Sequence, residues 1–271
     1  MRVKQRWGNI FAKSSSNRSA SNIEQLLLYG AYPQIIATPH KQLLLERIYQ
    51  DYIHKDIIEF LKLAKPDSFQ KCLSLLAHSS GQLVNYNQLS ADCQVNSTTV
   101  KHYITVLQQT YVIATVTPFV GNKRTEITTN PIIYFLDNGF RNHALNNFND
   151  LSSRTDAGLL VEGLVFQEIY KCITQSFLNL SIHYWRTKSG AEVDFVIYKN
   201  DTSFLPIEVK YRTMTSPGIT RGYRSFLQAY QPKQAIIITK DFSGQQIFEG
   251  IPVTFIPLVY LKELFKIIHD L

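Results

Sequence analysis

The sequence predicts an α/β (α+β) chain with a helical first half and a second half built on a mixed sheet flanked by helices. Three observations predict this. Apolar residues recur every three or four positions from Ile23 to Leu107, the period of helices with one buried face. Beyond Ile182, short runs rich in Val, Ile, Tyr and Phe are bounded by turn residues, the pattern of strands. An amphipathic stretch over 157–178 precedes those strands, and a second helical stretch, Gly222–Tyr230, separates the last two long ones.

In chain order, residues 1–22 read as a basic tail: positions 1–20 hold five basic residues and no acid, with a Ser/Asn-rich run at Ser14–Ser21. Residues 23–66 read as a helical segment. Leu26, Leu27 and Leu28 run to Gly30, and Tyr32-Pro33 closes this helix. A second begins near Thr38-Pro39, and Leu43, Leu44, Ile48, Tyr52, Ile53, Ile57 and Phe60 give it one apolar face. Residues 67–126 read as three helices and a strand. Phe69, Leu73, Leu76 and Ala77 mark the first helix, Asn85 opens the second, and Ser97-Thr98-Thr99 caps the third. The β-branched run Val112–Val116 then reads as a strand. That order of elements is the order of a winged helix-turn-helix. Residues 127–271 supply a strand at Pro131–Leu136, the helix over 157–178, strands at Ile182–Arg186, Glu192–Tyr198, Leu205–Tyr211 and Gln234–Thr239, a short strand near Val253–Phe255 and a final helix, Leu258–Ile268.

With 271 residues, 45% of them hydrophobic, the chain can bury a sizeable core. The formal charge of +7 favours a polyanionic partner and says nothing about fold. The three cysteines, Cys72, Cys93 and Cys172, are odd in number and lack a C-x-x-C spacing. They read as small buried hydrophobes in a reducing compartment. No signal-peptide pattern and no bilayer-length apolar run is visible, so the expectation is a cytoplasmic protein without a membrane partner.

The chemistry concentrates in the last third. Strand side chains alternate faces, so Glu208 and Lys210 share one face while Ile207 and Val209 take the other. By the same rule Asp194 points away from Val193 and Phe195. Two adjacent strands then present Asp194, Glu208 and Lys210 together, and Glu162 reaches them if its helix packs across the sheet. Three carboxylates around one point repel one another unless a cation neutralises them, and hard oxygen ligands suit Mg²⁺ or Mn²⁺. Such an ion acidifies a bound water, and a lysine beside it offsets developing negative charge. This is the PD-(D/E)xK constellation of phosphodiester hydrolysis: Glu162, Asp194, Glu208 and Lys210 catalytic, the three acids as metal ligands. A half-exposed strand with no activity shows the same alternation of charged and apolar residues.

The segment Tyr184-Trp-Arg-Thr-Lys-Ser-Gly-Ala-Glu-Val-Asp-Phe-Val-Ile197, with Pro206-Ile-Glu-Val-Lys210, resembles the C-terminal domain of a large prokaryotic family of AAA-type ATPases, catalogued as domain of unknown function 4143. Gly158–Phe166, Tyr134–Phe140, Gly30–Pro33 and Tyr52–Asp56 are similar to further segments of that family, so the resemblance spans about residues 25–265. It implies a restriction-endonuclease-like fold behind a winged helix, with the acidic positions at Glu162, Asp194 and Glu208 and the lysine at Lys210. Related nucleases often carry a glutamine in the next helix, where Gln228 stands. Family members usually begin with a nucleotide-binding domain, yet no G-x-x-x-x-G-K-[ST] loop occurs in this chain. No ATP hydrolysis is expected from it, and a separate ATPase subunit is a possible partner.

The third helix of the winged unit would be the recognition helix. Ser97, Thr98, Lys101 and His102 face outward, and Lys123 and Arg124 fall in the wing, so these six are the candidate DNA contacts. Winged helices also serve as dimerisation or interdomain modules. Three functions stay open: a metal-dependent DNA endonuclease, a non-catalytic DNA-binding or regulatory module that partners an ATPase, and a structural remnant of a truncated ATPase with no independent activity.

Overall fold

A computed structural model describes residues 22–59, 62–120 and 129–271. Helix α1 covers 22–29 and stops at Gly30, whose φ of +81° is a left-handed value that favours glycine. A Cβ at Gly30 would also lie 2.0 Å from Asp137 Oδ1. Pro33 opens α2 (Pro33–Ala37), where the sequence suggested that it closes a helix. Proline suits a first helical turn because its missing N–H has no partner there. α3 (Lys41–Gln50) runs on into a π-wound stretch, Asp51–Glu59.

The three helices of the next segment are α4 (Pro66–His78), α5 (Tyr86–Asp92) and α6 (Ser97–Gln109). Asn85 caps α5 by accepting from Gln88 N at 3.0 Å. Asn96 caps α6 by accepting from Thr99 N at 2.7 Å, so the cap lies one residue before the Ser/Thr run.

The strands are β1 (Ile113–Pro118), β2 (Ile132–Phe135), β3 (Ser181–Arg186), β4 (Glu192–Asn200), β5 (Ser203–Lys210), β6 (Ala235–Thr239), β7 (Gly244–Phe248) and β8 (Ile251–Pro257). α7 (Asn138–Ala144) and α8 (Ala157–Gln175) lie between β2 and β3, α9 (Arg221–Tyr230) crosses from β5 to β6, and α10 (Lys262–His269) ends the chain. All eight strands among the described residues join one mixed sheet in the order β2-β1-β3-β4-β5-β6-β8-β7. Its parallel pairs are β1–β3, β5–β6 and β6–β8, and the other four are antiparallel.

β1 serves two neighbours in turn. Ile113–Val116 pair with β2, then Thr117 and Pro118 pair with β3. The strand that follows the three helices is thereby built into the sheet of the C-terminal strands. The expected domain boundary at 126/127 lies in 121–128, outside the described residues.

Three apolar cores follow from this layering. Ile133, Phe135 and Ile113 turn one face of β1–β2 toward α3–α7. Ile132, Tyr134 and Val116 turn the other face toward α8, which shares its core with Phe195, Leu205 and Ile207 and with Leu264 and Ile268 of α10. On the opposite side of the sheet, Tyr223, Phe226 and Leu227 of α9 pack on Val193, Val196 and Ile237. No described helix is long and apolar enough to cross a membrane. The three cysteines are all buried.

A buried ion cluster ties the start of α8 to the helical half. Asp156 stands at the N-cap position, but its side chain makes no capping hydrogen bond. Instead Oδ2 accepts from Arg141 Nη1 at 2.8 Å and Arg154 Nη2 at 2.7 Å, and Oδ1 accepts from Arg154 Nε at 2.8 Å. Hydrogen bonds from Arg154, assisted by Arg141, hold the Asp156 carboxyl well below the usual carboxylate range. Arg154 also donates to Asn142 Oδ1, and Asn142 Nδ2 donates to the carbonyls of Leu27 and Leu28 in α1. The two guanidinium groups are 3% and 1% exposed, so they depend on this one carboxylate. Asp156→Ala strands two buried cations, and urea denaturation should show a loss of about 3 kcal/mol or more. A loss under about 1 kcal/mol would show that the cluster is dispensable.

Candidate acid site

β4 and β5 pair with Phe195 opposite Ile207, which sets Asp194 and Glu208 beside each other at the next step of the ladder. The approach is not the simple alternation read from the sequence. His183 pairs with Val196 but Trp185 pairs with Val193, so β4 spends three residues where β3 spends two. Asp194 and Phe195 take up this bulge, a device that re-aims side chains. As a result Val193 joins the α9-side core and Phe195 the α8-side core, where alternation expects them on one face.

Asp194 Oδ2 accepts from the main-chain N–H of Val209 at 2.7 Å, which fixes the carboxylate against β5. Glu208 and Lys210 do share a face: Lys210 Nζ lies 2.6 Å from Glu208 Oε1. Ile207 and Val209 turn to the α8-side core, as alternation requires. Glu208 is also held by Thr220, the N-cap of α9, whose hydroxyl lies 2.9 Å from Oε1 and 3.1 Å from Oε2. The same Thr220 oxygen accepts from Tyr223 N, so one hydroxyl caps the start of the helix and anchors the acid.

Glu162 comes from α8. Its Oε1 accepts from the Tyr134 hydroxyl at 2.6 Å. Gly81, at φ +82°, brings the α4–α5 loop against the same oxygen: a Cβ there would lie 3.3 Å from Glu162 Oε1. Burial, reinforced by the Glu162 charge, pushes the Tyr134 phenol far up, so it stays a donor.

The electrostatics join the four groups. Burial pushes the Glu162 carboxyl well up, and repulsion from Asp194 and Glu192 adds to it against the Tyr134 hydrogen bond and Lys210. Burial also pushes Asp194 up, opposed by the Val209 N–H and Lys210 and assisted by Glu208 and Glu192. Burial alone would lower the Lys210 ammonium, but Glu208, Asp194 and Glu192 more than offset it, and the net shift is upward.

As the side chains stand, no three His, Cys, Asp or Glu groups among the described residues are gathered closely enough to hold a metal ion. The donor chemistry still fits a hard divalent cation. Asp194 Oδ1 and Glu162 Oε2 accept nothing from the described residues, while Glu208 is engaged by Thr220 and Lys210. Two carboxylates with water in the remaining positions are a usual protein share of Mg²⁺ coordination.

The other candidates are placed as follows. Thr98, Lys101 and His102 are exposed on α6 and Ser97 is half-buried. Lys101 Nζ lies 5.5 Å from the centre of the Tyr86 ring, and Asn85, Tyr86, Asn87, Ser97, Lys101 and Asn130 line one shallow pocket. Lys123 and Arg124 lie outside the described residues. Gln228 is exposed and donates to Glu249 at 2.7 Å, which occupies it away from the acids. Asp137 caps α7 by accepting from Phe140 N at 3.1 Å, and it also accepts from the distant Ala31 N at 2.7 Å. Sequence reasoning missed Tyr134 and Thr220. Thr220 had a local signal, a threonine directly ahead of a helix; Tyr134 had none beyond lying in a strand.

Residues 157–259 match the family model described as Domain of unknown function (DUF4143), and residues 20–151 match a second one, Domain of unknown function (DUF8612). The first match takes in Glu162, Asp194, Glu208 and Lys210 and is a narrower span than the 25–265 expected. Two mycobacterial proteins named as uncharacterized, from Mycobacterium tuberculosis and Mycobacterium bovis, are each 25% identical over 190 residues, 69% of this chain and 41% of theirs. An uncharacterized protein of Haemophilus influenzae is 22% identical over 235 residues, 84% of this chain and 55% of its own. The chain spans about half the length of the curated relatives it matches.

The raised carboxyls have a stability consequence whose sign is fixed. A carboxyl that holds its proton more tightly folded than unfolded costs nothing while both states are protonated. Stability falls as pH rises from the ordinary carboxylate range, about pH 4, through the raised value. Glu162→Gln replaces an acid whose ionisation the fold opposes with an uncharged group of the same shape, so it should melt higher than the parent at neutral pH and lose that advantage in acid. A variant that melts lower at both pH values would show that Glu162 is not under electrostatic strain.

Proposed function

We propose that this chain is a divalent-metal-dependent phosphodiesterase that acts on DNA, with its chemistry at Glu162, Asp194, Glu208 and Lys210. On this reading the sheet and its helices form a restriction-endonuclease-like domain and α4–α6 with β1 form a winged helix. The observation that carries the reading is a pair of half-buried carboxylates, Glu162 held by the Tyr134 hydroxyl and Asp194 held by the Val209 N–H, with Lys210 and Glu208 in contact on the neighbouring strand. A purely structural core gains nothing from such a pair. A site that takes up a cation does.

Glu162 and Asp194 would hold the ion, Mg²⁺ or Mn²⁺. Bound there, it would supply the acidified water and the polarised phosphoryl oxygen that hydrolysis needs. Tyr134 orients the Glu162 carboxylate, and the Val209 N–H orients Asp194. Lys210 carries the positive charge that offsets the charge developing on the phosphoryl oxygens. Glu208, braced by Thr220, keeps Lys210 protonated and aimed.

A polyanionic substrate is supported by the rim. The acids sit where β3 ends, β4 begins and β5 ends. Exposed Arg186 and Lys188 in the β3–β4 corner and Arg212 and Arg221 after β5 surround that end of the sheet. Among the described residues only Glu192 answers Arg186, at a loose 3.7 Å. Lys101, His102 and Thr98 on the exposed face of α6 would add backbone contacts.

The test is a cleavage assay on duplex and single-stranded DNA with the parent chain and two variants. Cutting should require Mg²⁺ or Mn²⁺ and stop on chelation. Asp194→Asn should reduce the rate by about a hundredfold or more. Lys210→Ala should slow cleavage by about tenfold or more with little change in binding. Cleavage that persists at the parent rate in Asp194→Asn would remove the proposal.

A further inference from the structure

The two edges of the sheet are treated differently. At the β2 edge, Gly81 N donates to Ile133 O at 2.8 Å, Val84 N donates to Pro131 O at 2.9 Å, and Leu83 forms a bridge to Ile132. That edge is covered. At the other end β7 pairs with β8 alone among the described residues.

The hairpin geometry says which groups β7 leaves free. Glu249 and Gly250, both at positive φ, form a two-residue turn with Phe248 opposite Ile251. In such a hairpin the flanking pair exchanges both hydrogen bonds, and so does every second pair after it. Phe248, Gln246 and Gly244 therefore direct their main-chain groups to β8. Gln245 and Ile247 direct theirs to the open edge. The register agrees with Pro252: it stands opposite Ile247, where the ladder asks for no N–H.

Natural edges are blunted by charge, proline or bulges. Gly244–Phe248 has none of them, and Ile247 is 72% exposed. Within the same strand the Gln246 side-chain oxygen is buried and has no hydrogen-bond partner among the described residues. A buried polar atom left in that condition is destabilising and calls for an explanation.

We propose that β7 is a dimerisation edge, on which a second copy of this chain adds its own β7 antiparallel about a two-fold axis through Gln246. In that register Gln245 exchanges main-chain hydrogen bonds with the partner's Ile247, and Ile247 with the partner's Gln245. Gln246 meets its own copy across the non-hydrogen-bonded position, where Cα atoms approach to about 4.5 Å. Each glutamine amide carries both donor and acceptor, so the two satisfy each other across the axis once the side chains turn to face it. Self-pairing is also the arrangement an uncharged strand permits, since no like charges meet in the ladder. With only five residues a side, the contact predicts a weak, reversible dimer with a Kd of about 10–100 μM.

Sedimentation equilibrium of the full chain tests this. The apparent mass should rise from 31.1 kDa toward twice that as concentration increases. Ile247→Lys should stay monomeric at every concentration with an unchanged melting curve, because the side chain is exposed. Gln246→Cys should form a covalent dimer with diamide, since the three native cysteines are buried, whereas Phe177→Cys, at a 95% exposed site elsewhere, should not. A parent chain that keeps its monomer mass at millimolar concentration would overturn the proposal. So would a dimer that survives Ile247→Lys and leaves Gln246→Cys uncrosslinked.

Discussion

The main-chain N–H of Val209 holds one oxygen of Asp194 at 2.7 Å, and the hydroxyl of Tyr134 holds one oxygen of Glu162 at 2.6 Å. Each hydrogen bond favours the charged form of its acid, yet both acids are pushed the other way, because burial outweighs the hydrogen bond. The fold therefore fixes two carboxylates in places where their charges are unwelcome. Both are built from rigid elements, a bulged central strand and the longest described helix, so neither can relax by moving away.

Much of the surrounding structure serves that placement. α8 carries Glu162 and is moored at its start by Arg141 and Arg154 through Asp156, which links it to α7 and α1. β2 supplies Tyr134 because it is paired to β1, and β1 is carried into the main sheet by its two-residue ladder with β3. On the opposite face Thr220 joins the start of α9 to Glu208, and Glu208 in turn steadies Lys210. The site is thus assembled from both halves of the chain. The division between the two family models, after 151 and before 157, falls just ahead of α8 and leaves Tyr134 on one side and Glu162 on the other.

What the sequence made legible is what depends on local period. Strand alternation paired Glu208 with Lys210, and the structure has them in contact. The 3.6-residue period located α4, α6 and α8 within a few residues. What it concealed depends on partners distant in sequence. No residue type marks the bulge at Asp194–Phe195, which exists only relative to β3. Asp156 has the position of a helix cap but finds two guanidinium groups there, and charge-assisted hydrogen bonds outcompete a backbone amide. β7, with two glutamines and one isoleucine in five residues, lacks the β-branched enrichment that announces a strand. Its signal was the Glu249-Gly250 turn, which forces the chain back along β8.

A carboxyl that is protonated because of burial and repulsion must release its proton when a cation takes its place. Calorimetric titration with Mn²⁺ at neutral pH, repeated in two buffers of different ionisation enthalpy, measures binding and proton release together. The account predicts one ion bound per chain with net release of protons, and loss of both signals in Asp194→Asn. Binding that releases no protons, or that is the same in Asp194→Asn, would contradict it.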